Sequence, residues 1–204
     1  MLFEDTYRTI ENPSEGIFRD RGSKFLAYAY PIHSENDIKG IVASLKSEHP
    51  KANHHCWAMR LSIDRSVFKL NDDGEPSGTA GRPILNILLS KDLTNILVVV
   101  VRYFGGTLLG VPGLINAYKM ATEEALNQAV VIEKTVNDVY TISFDYLQMN
   151  DVMRIIKDTD LAILNQQFDN NCSIQVSIRK MQVNMILAKL HKLNVVKSIY
   201  DYSI

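Results

Sequence analysis

The spacing of apolar residues in the first half of the chain predicts four strands. A run rich in Phe, Leu, Tyr and Ala occupies residues 24–32, and apolar residues alternate with polar ones over residues 55–61. Phe68 and Leu70 repeat this alternation over a shorter stretch, and a period of two is typical of a strand. Residues 96–101 form an unbroken and largely β-branched run, which indicates a strand that is covered on both faces.

Apolar residues that recur every three or four positions predict three helices in the same half. Ser34 is predicted to cap the first helix, which ends near Pro50. Pro83 and Pro112 each suit the first turn of a helix, because proline loses no intrahelical hydrogen bond there. The third helix has the strongest pattern, and its predicted inner face consists of Leu114, Tyr118, Ala121, Thr122, Ala125 and Leu126.

Beyond Val130 the pattern restarts in the order βαββαβ. The predicted elements are strands at 140–144, 161–168, 172–178 and 196–202 and helices at 149–156 and 183–190. Asp169, Asn170 and Asn171 are predicted to form a hairpin turn. Because this order is typical of a ferredoxin-like sandwich, we predict an α+β protein with domains at residues 1–132 and 133–204.

The composition places the chain among globular proteins. With 204 residues, 46% of them hydrophobic and 22% charged, it can build two small cores. The N-terminus has no basic flank followed by an apolar stretch, and no apolar run approaches the roughly 20 residues of a membrane helix. We therefore expect a cytoplasmic protein without membrane contact. In a reducing compartment Cys56 and Cys172 are expected to be core residues rather than a disulfide.

The charge balance argues against generic coating of nucleic acid. The formal net charge is −1, whereas long stretches of nucleic acid are usually bound through excess positive charge. A local basic patch stays open as a hypothesis, with Tyr103 and Phe104 as stacking partners for bases. The alternative is a set of scattered surface cations. The candidate members of the patch are Arg19, Arg21, Lys24, Arg82 and Arg102.

Two polar loops are the main candidates for a binding site. The acidic loop, residues 71–83, reads NDDGEPSGTAGRP; the glycine loop, residues 102–113, reads RYFGGTLLGVPG. Glycines between a strand and a helix either cradle phosphate with backbone N–H groups or simply shape the backbone, and a Walker A loop is excluded because its Lys and Ser/Thr are missing. The carboxylates of the acidic loop either share a metal or a proton, or favour a helix N-terminus.

Signatures of catalysis are absent from the sequence. His54, His55 and Cys56 are neighbours on a predicted strand, so they point alternately to opposite faces and cannot all reach one metal ion. The motif GxSxG of serine hydrolases does not occur. We predict no catalytic residue, no metal site and no cofactor, which favours a binding protein over an enzyme.

Four segments of the chain closely resemble the IMPACT/YigZ family. They are RGSKF at 21–25, HHCWA at 54–58, DDGEPSGTAGRP at 72–83 and VVRYFGGTLLGVPGLINAY at 100–118. The resemblance covers essentially the whole chain, because bacterial YigZ-type members also carry a C-terminal ferredoxin-like domain. The resemblance implies an N-terminal ribosomal-protein-like β/α domain similar to domain IV of elongation factor G. It also implies a C-terminal ferredoxin-like domain similar to domain V of that factor.

The same resemblance implies a translation-associated regulatory protein, since eukaryotic IMPACT proteins regulate translation by binding other proteins. We expect contact with RNA, the ribosome or a translation-related protein through the two loops. The alternatives are an enzyme or sensor for a small phosphorylated ligand at the same loops, and an interaction scaffold that dimerises weakly through the second domain. The motif positions expected to bind are Lys24, His54, Asp73, Glu75, Thr79, Ala80, Gly81, Arg102, Tyr103, Phe104, Gly105, Gly106, Gly110 and Gly113.

Overall fold

The chain forms two compact units, each built from helices packed on an antiparallel sheet. The computed structural model describes residues 5–168, 172–193 and 196–204. Residues 7–134 form one unit, called here the loop unit because it contains both loops. The described residues from 135 onward, with those before Tyr7, form the other, called the sandwich unit. The α+β prediction is confirmed.

The loop unit is organised around a five-stranded sheet in the order β2-β3-β6-β4-β5. Neighbouring strands in this sheet run antiparallel. A separate two-stranded sheet pairs β1 with β7. The elements in chain order are β1 (Thr6–Ile10), β2 (Ser14–Asp20), β3 (Ser23–Pro31), α1 (Asn36–Glu48), β4 (His54–Leu61), β5 (Val67–Asn71), α2 (Gly81–Ser90), β6 (Ile96–Tyr103), α3 (Gly110–Gln128) and β7 (Val131–Thr135).

Strand β6 lies at the centre of the sheet and contributes to a core on each face. Val98 and Val100 belong to the cluster that contains the inner faces of α2 and α3. Val99 and Val101 belong to the cluster that contains the buried residues of α1. The expectation of a strand covered on both faces is thus confirmed, and so is the inner face predicted for α3, all of which is buried.

Three strands of the loop unit were not predicted: β1, β2 and β7. Strand β2 is an edge strand with one buried residue among seven, so its sequence lacks a clear apolar alternation. Gly16 explains its place in the fold, because a Cβ atom there would lie only 2.2 Å from the backbone nitrogen of Ala125 in α3. The side chain of Ser14 donates a hydrogen bond to the Ala125 carbonyl at 2.9 Å, which holds the strand against the helix.

The prediction that Ser34 caps helix α1 is wrong. The helix begins at Asn36, and its N-cap residue makes no side-chain capping bond. Instead the carboxylate of Asp37 accepts the backbone N–H groups of His33 and Ser34, both at 2.9 Å. These two amide donors hold the pKa of Asp37 below its ordinary value. The Asp37 carboxylate thus ties the first turn of the helix to the two residues His33 and Ser34 that precede it.

The sandwich unit has the predicted βαββαβ order, with a four-stranded antiparallel sheet ordered β11-β8-β10-β9. Its elements are β8 (Asn137–Phe144), α4 (Met149–Asp158), β9 (Ala162–Phe168), β10 (Cys172–Arg179), α5 (Val183–Leu190) and β11 (Lys197–Ser203). One face of the sheet packs on α4 and α5 around the buried side chains of Ile142, Ile174, Val176 and Ile186. Because helices cover only one face of this sheet, buried and partly exposed residues alternate along the central strand β10.

Other expectations for this unit can be checked only in part. Cys172 in this unit and Cys56 in the loop unit are both buried, and neither is part of a disulfide. The predicted turn at residues 169–171 lies outside the described residues. Across the described parts of the chain, no helix combines the length and the apolar character that a membrane crossing requires.

Candidate functional site

The acidic loop and the glycine loop meet at one end of the central sheet and enclose a groove in the loop unit. The groove has a volume of about 450 Å³. We call it the loop groove. It is lined by Asn53, His54, Glu75, Pro76, Arg102, Phe104, Leu108, Leu109, Gly110, Val111 and Leu114. Two segments that are distant in the sequence therefore form one surface.

The register of the sheet decides which side chains reach this groove. Phe25 in β3 and His54 in β4 both lie opposite Arg102 in β6. Because directly paired residues share a face, all three point toward α3. Lys24 lies opposite Tyr103, one position further along β3 and β6. Adjacent strand residues point to opposite faces, so Lys24 and Tyr103 point away from the groove.

A buried ion pair forms the floor of the loop groove. Arg102 Nη1 donates to Glu75 Oε1 at 2.5 Å, and the two side chains are only 6% and 3% exposed. The Tyr118 hydroxyl donates to the same oxygen at 2.8 Å. The guanidinium of Arg102 lies 5.5 Å from the ring centre of Phe25 and 5.7 Å from that of Phe104. The positive charge is therefore neutralised by Glu75 and flanked by aromatic rings.

His54 presents one ring nitrogen to the groove. Its Nδ1 lies 2.8 Å from the backbone oxygen of Asp73, which can only accept, so Nδ1 carries the proton. The other ring nitrogen, Nε2, lies 3.9 Å from Glu75 Oε1. The groove floor thus combines a carboxylate, a guanidinium and an imidazole.

The other two carboxylates of the acidic loop, Asp72 and Asp73, hold the loop in place. Asp72 accepts the backbone N–H groups of Gly78, Ala80 and Gly81 at 2.9, 3.1 and 2.8 Å, and so satisfies the start of α2. Asp73 accepts the backbone N–H of His55 at 2.7 Å and pairs with Lys46 at 3.1 Å. Within residues 5–168, 172–193 and 196–204, no three His, Cys, Asp or Glu side chains are grouped to hold a metal ion.

The glycine loop follows a backbone path that depends on close approach. A Cβ atom at Gly105 would lie 1.9 Å from the backbone carbon of Gly22 and 2.2 Å from the nitrogen of Ser23. The Gly105 N–H also donates to the Ser23 hydroxyl at 3.1 Å. Gly105 therefore fixes the glycine loop against the turn between β2 and β3. Gly106 and Gly110 have φ angles of 85° and 71°, which also favour glycine.

The expected binding positions fall into two groups. His54, Glu75, Arg102, Phe104 and Gly110 line the loop groove. The positions outside its lining are Lys24, Asp73, Thr79, Ala80, Gly81, Tyr103, Gly105, Gly106 and Gly113, several of which shape the loops. Tyr103 instead places its hydroxyl 3.0 Å from Nδ1 of His49, and Thr79 donates to the backbone oxygen of Pro76 at 2.7 Å. Gly113 lies within the first turn of α3, which begins at Gly110.

The cations proposed as one basic patch do not share one groove. Arg102 is buried in the loop groove, whereas Arg82 lines a different groove of about 440 Å³ between α2 and α3. Lys24 points to the sheet face opposite Arg102, as the register shows. A stacking role for Phe104 remains sterically open because its side chain is 45% exposed.

Some lining residues were not among the expected binding positions. Leu108 and Val111 line the groove and are 80% and 52% exposed, and Asn53 lies at its edge. The available signal was the apolar sequence TLLGV inside an otherwise polar loop, because large exposed apolar residues in a loop need a reason. No feature of the sequence indicated that Tyr118 contributes to the floor, because its position on the inner face of α3 is typical of a core residue.

Cys56 borders the buried network but is poorly suited to act as a nucleophile. Its Sγ lies 2.9 Å from the backbone oxygen of Asp72 and 3.3 Å from the Tyr118 hydroxyl. Burial raises the pKa of this thiol far above its ordinary value. The reactive thiolate is therefore disfavoured at neutral pH.

Comparison with known proteins places the loop unit in a defined family. Residues 21–126 match the family model described as Impact N-terminal domain. The IMPACT family member YigZ of Escherichia coli is 34% identical over 170 residues, which is 82% of this chain and 83% of that protein. The Protein IMPACT homolog of Saccharomyces cerevisiae is 36% identical over 94 residues, 45% of this chain and 36% of that protein.

A solved structure covers both units. A crystal structure described as that of a hypothetical protein is 29% identical, with a TM-score of 0.74 over 97% of this chain and 98% of that one. The match to the family model spans the segments that build the loop groove. The chain belongs to the IMPACT family.

Proposed function

We propose that this chain is a translation-associated regulatory protein that uses the loop groove to bind a protein segment of the ribosome or of a factor bound to it. Family membership supports the translation-related part of the proposal, because the resemblance implies that eukaryotic IMPACT proteins regulate translation by protein binding. The chain covers only 36% of the yeast homolog, so the partner of that longer protein is not transferred.

The main support for this proposal is that the loop groove combines an apolar rim with a floor formed by a charge-balanced ion pair. Leu108, Val111 and Phe104 are 80%, 52% and 45% exposed around the groove. Aromatic and large apolar side chains of this kind serve as anchors in protein interfaces. The buried pair of Glu75 and Arg102 adds hydrogen-bonding groups to the floor but no net charge. A partner segment with an apolar side chain next to a polar group could contact the rim and hydrogen-bond to the floor.

RNA is a weaker candidate for the same groove. Affinity for RNA comes largely from cations that neutralise phosphates, and the one arginine in the lining is paired with a carboxylate. Stacking on Phe104 would have to supply the affinity almost alone. The groove therefore favours a protein segment.

A small phosphorylated ligand has less support for a different reason. The backbone amides of Gly78, Ala80 and Gly81, which could have received a phosphate at the start of α2, already donate to Asp72. At the start of α3, Pro112 provides no N–H group. The acidic loop thus has few backbone amides left to donate to an anion.

Gradient fractionation tests this function. The tagged chain is expressed in Escherichia coli, which has a relative 34% identical to it, and lysates are separated at low and moderate salt. We expect the unaltered chain to migrate with ribosomal fractions at both salt concentrations and Leu108→Glu to remain near the top, because a charge would enter the apolar rim. Phe68→Glu is the matched control, since Phe68 is 50% exposed but lies outside the groove lining.

Two outcomes would contradict the proposal. An unaltered chain that stays at the top of the gradient at both salt concentrations would remove the link to ribosomes. Migration that disappears at moderate salt and is unaffected by Leu108→Glu would indicate contact with nucleic acid through surface cations instead.

A further inference from the structure

The edge strand β9 of the sandwich unit differs from the other edges of the two large sheets. These sheets end in four edge strands: β2, β5, β9 and β11. Strand β2 contains Glu15, Arg19 and Asp20, β5 contains Lys69, and β11 contains Lys197 and Asp201. Strand β9 reads AILNQQF and has no charge, no proline and no glycine. Charges and prolines are the usual protection of an edge against pairing.

Among the described residues, β9 pairs with a strand on one side only. All seven residues of β9 are exposed, and β10 is its partner in the sheet. The N–H of Gln166 donates to the side-chain oxygen of Asn165 at 2.8 Å. In an antiparallel pair, successive residues direct their backbone groups alternately toward and away from the partner. Gln166 therefore directs its N–H and C=O away from β10.

We propose that β9 pairs antiparallel with β9 of a second copy of this chain, about a two-fold axis at Gln166. This pairing would place Asn165 opposite Gln167 of the second copy, and would bring Leu164, the residue at the register shift, next to its Phe168. Apolar residues then meet apolar ones, and amide side chains meet amide side chains, which supports cross-strand pairs. The strand is thus complementary to itself, as an interface with two-fold symmetry requires. This dimer does not depend on the function proposed for the loop groove.

The surface beside the strand also fits a second copy. An open groove of about 650 Å³ lies between α4 and β9. Its apolar lining includes Met153 and Ile163, and Leu164 and Phe168 on the strand are 46% and 44% exposed. Its charged lining carries both signs and consists of Arg154, Lys157, Asp158 and Asp160. A two-fold contact brings such a mixed surface against its own copy, so that opposite charges can pair.

The expected association is weak and depends on concentration. The ladder between β9 and β10 shifts register at Gln175 and Val176, which leaves Leu164 as an extra residue and limits the regular edge to the segment that follows it. The bond between Gln166 and Asn165 must also be exchanged for bonds to the second copy. A short pairing segment and a competing internal bond both reduce affinity.

Sedimentation equilibrium of the full chain over a concentration series tests the proposal. We expect the apparent mass to rise from the 23.1 kDa of one chain toward twice that value. Gln166→Lys should weaken dimerisation by about tenfold or more, because two ammonium groups would face each other at the axis. The control is Ile199→Lys, which places the same charge on the β11 edge at a residue that is 62% exposed. Leu164→Lys serves as a second β9 variant if Gln166→Lys lowers the melting temperature.

Hydrogen exchange provides an independent readout in the unaltered chain. The amides of residues 162–168 should exchange more slowly as the protein concentration rises, whereas those of β11 should not change. A monomer at every concentration would overturn the proposal. Equal weakening by Ile199→Lys, or slower exchange confined to other segments, would assign the association to a different surface and overturn it as well.

Discussion

Replacing Arg102 by methionine is expected to lower the free energy of unfolding of the loop unit by about 3–5 kcal/mol, because it leaves a buried carboxylate without its cation. Glu75 is 3% exposed, and its Oε1 atom accepts from both Arg102 and Tyr118. Methionine keeps the apolar contact with Phe25 and Phe104 but not the charge. Urea denaturation followed by the fluorescence of Trp57 measures the change, since Trp57 is the one tryptophan of the chain and lies in the loop unit.

Two variants make this expectation specific to the buried pair. Adding Glu75→Gln to Arg102→Met should recover most of the loss, because glutamine removes the stranded charge and retains an acceptor for Tyr118. Lys119→Met disturbs the surface pair of Lys119 and Glu123, whose charged atoms are 3.9 Å apart, and should cost about 0.5 kcal/mol or less. Equal losses for Arg102→Met and Lys119→Met would show that the floor of the groove is not built as described.

Replacing Gly105 by alanine is expected to destabilise the loop unit by about 1–3 kcal/mol or more, because the new methyl group would overlap with backbone atoms. Its Cβ would lie 1.9 Å from the backbone carbon of Gly22, which has no flexible side chain that could move aside. Either the glycine loop or the turn between β2 and β3 must shift, and the groove would change shape with it.

Gly40 provides the matched control for this substitution. It lies in helix α1, is exposed, and an added Cβ would meet no atom within 4 Å. Gly40→Ala should therefore stabilise the protein by about 0.5–1 kcal/mol through the higher helix propensity of alanine. Denaturation curves for both variants, followed through Trp57, decide the matter. A Gly105→Ala protein as stable as the unaltered chain would contradict the close approach of the two backbone segments.

The sequence predicted those elements whose own residues contain the signal. Strand β6 is buried on both faces and is therefore apolar at every position from 96 to 101. Helix α3 and the βαββαβ order of the sandwich unit were predictable for the same reason, since burial on one face imposes a period on the chain. Strand β2 was not predictable, because this edge strand is defined by its pairing with β3 rather than by an apolar pattern of its own.

The candidate site was predictable as a set of loops but not as a set of contacts. Glu75 and Arg102 are separated by 27 positions, so their pairing is visible only after β4 is aligned with both β5 and β6. The sequence suggested that Arg102 could bind phosphate, but in the structure its charge is already paired with Glu75. Asp72 likewise accepts amides of its own loop, which no spacing rule would have revealed.

Photo-crosslinking from within the loop groove tests whether this groove binds a ribosomal protein or a translation factor. Benzoylphenylalanine is incorporated in place of Leu108 or, as the control, in place of Phe68, and crosslinked products are identified after irradiation of living Escherichia coli cells. We expect products at position 108 that contain ribosomal proteins or translation factors and that are missing at position 68. Identical products at the two positions, or none at position 108, would contradict the assignment of the loop groove as the partner-binding surface.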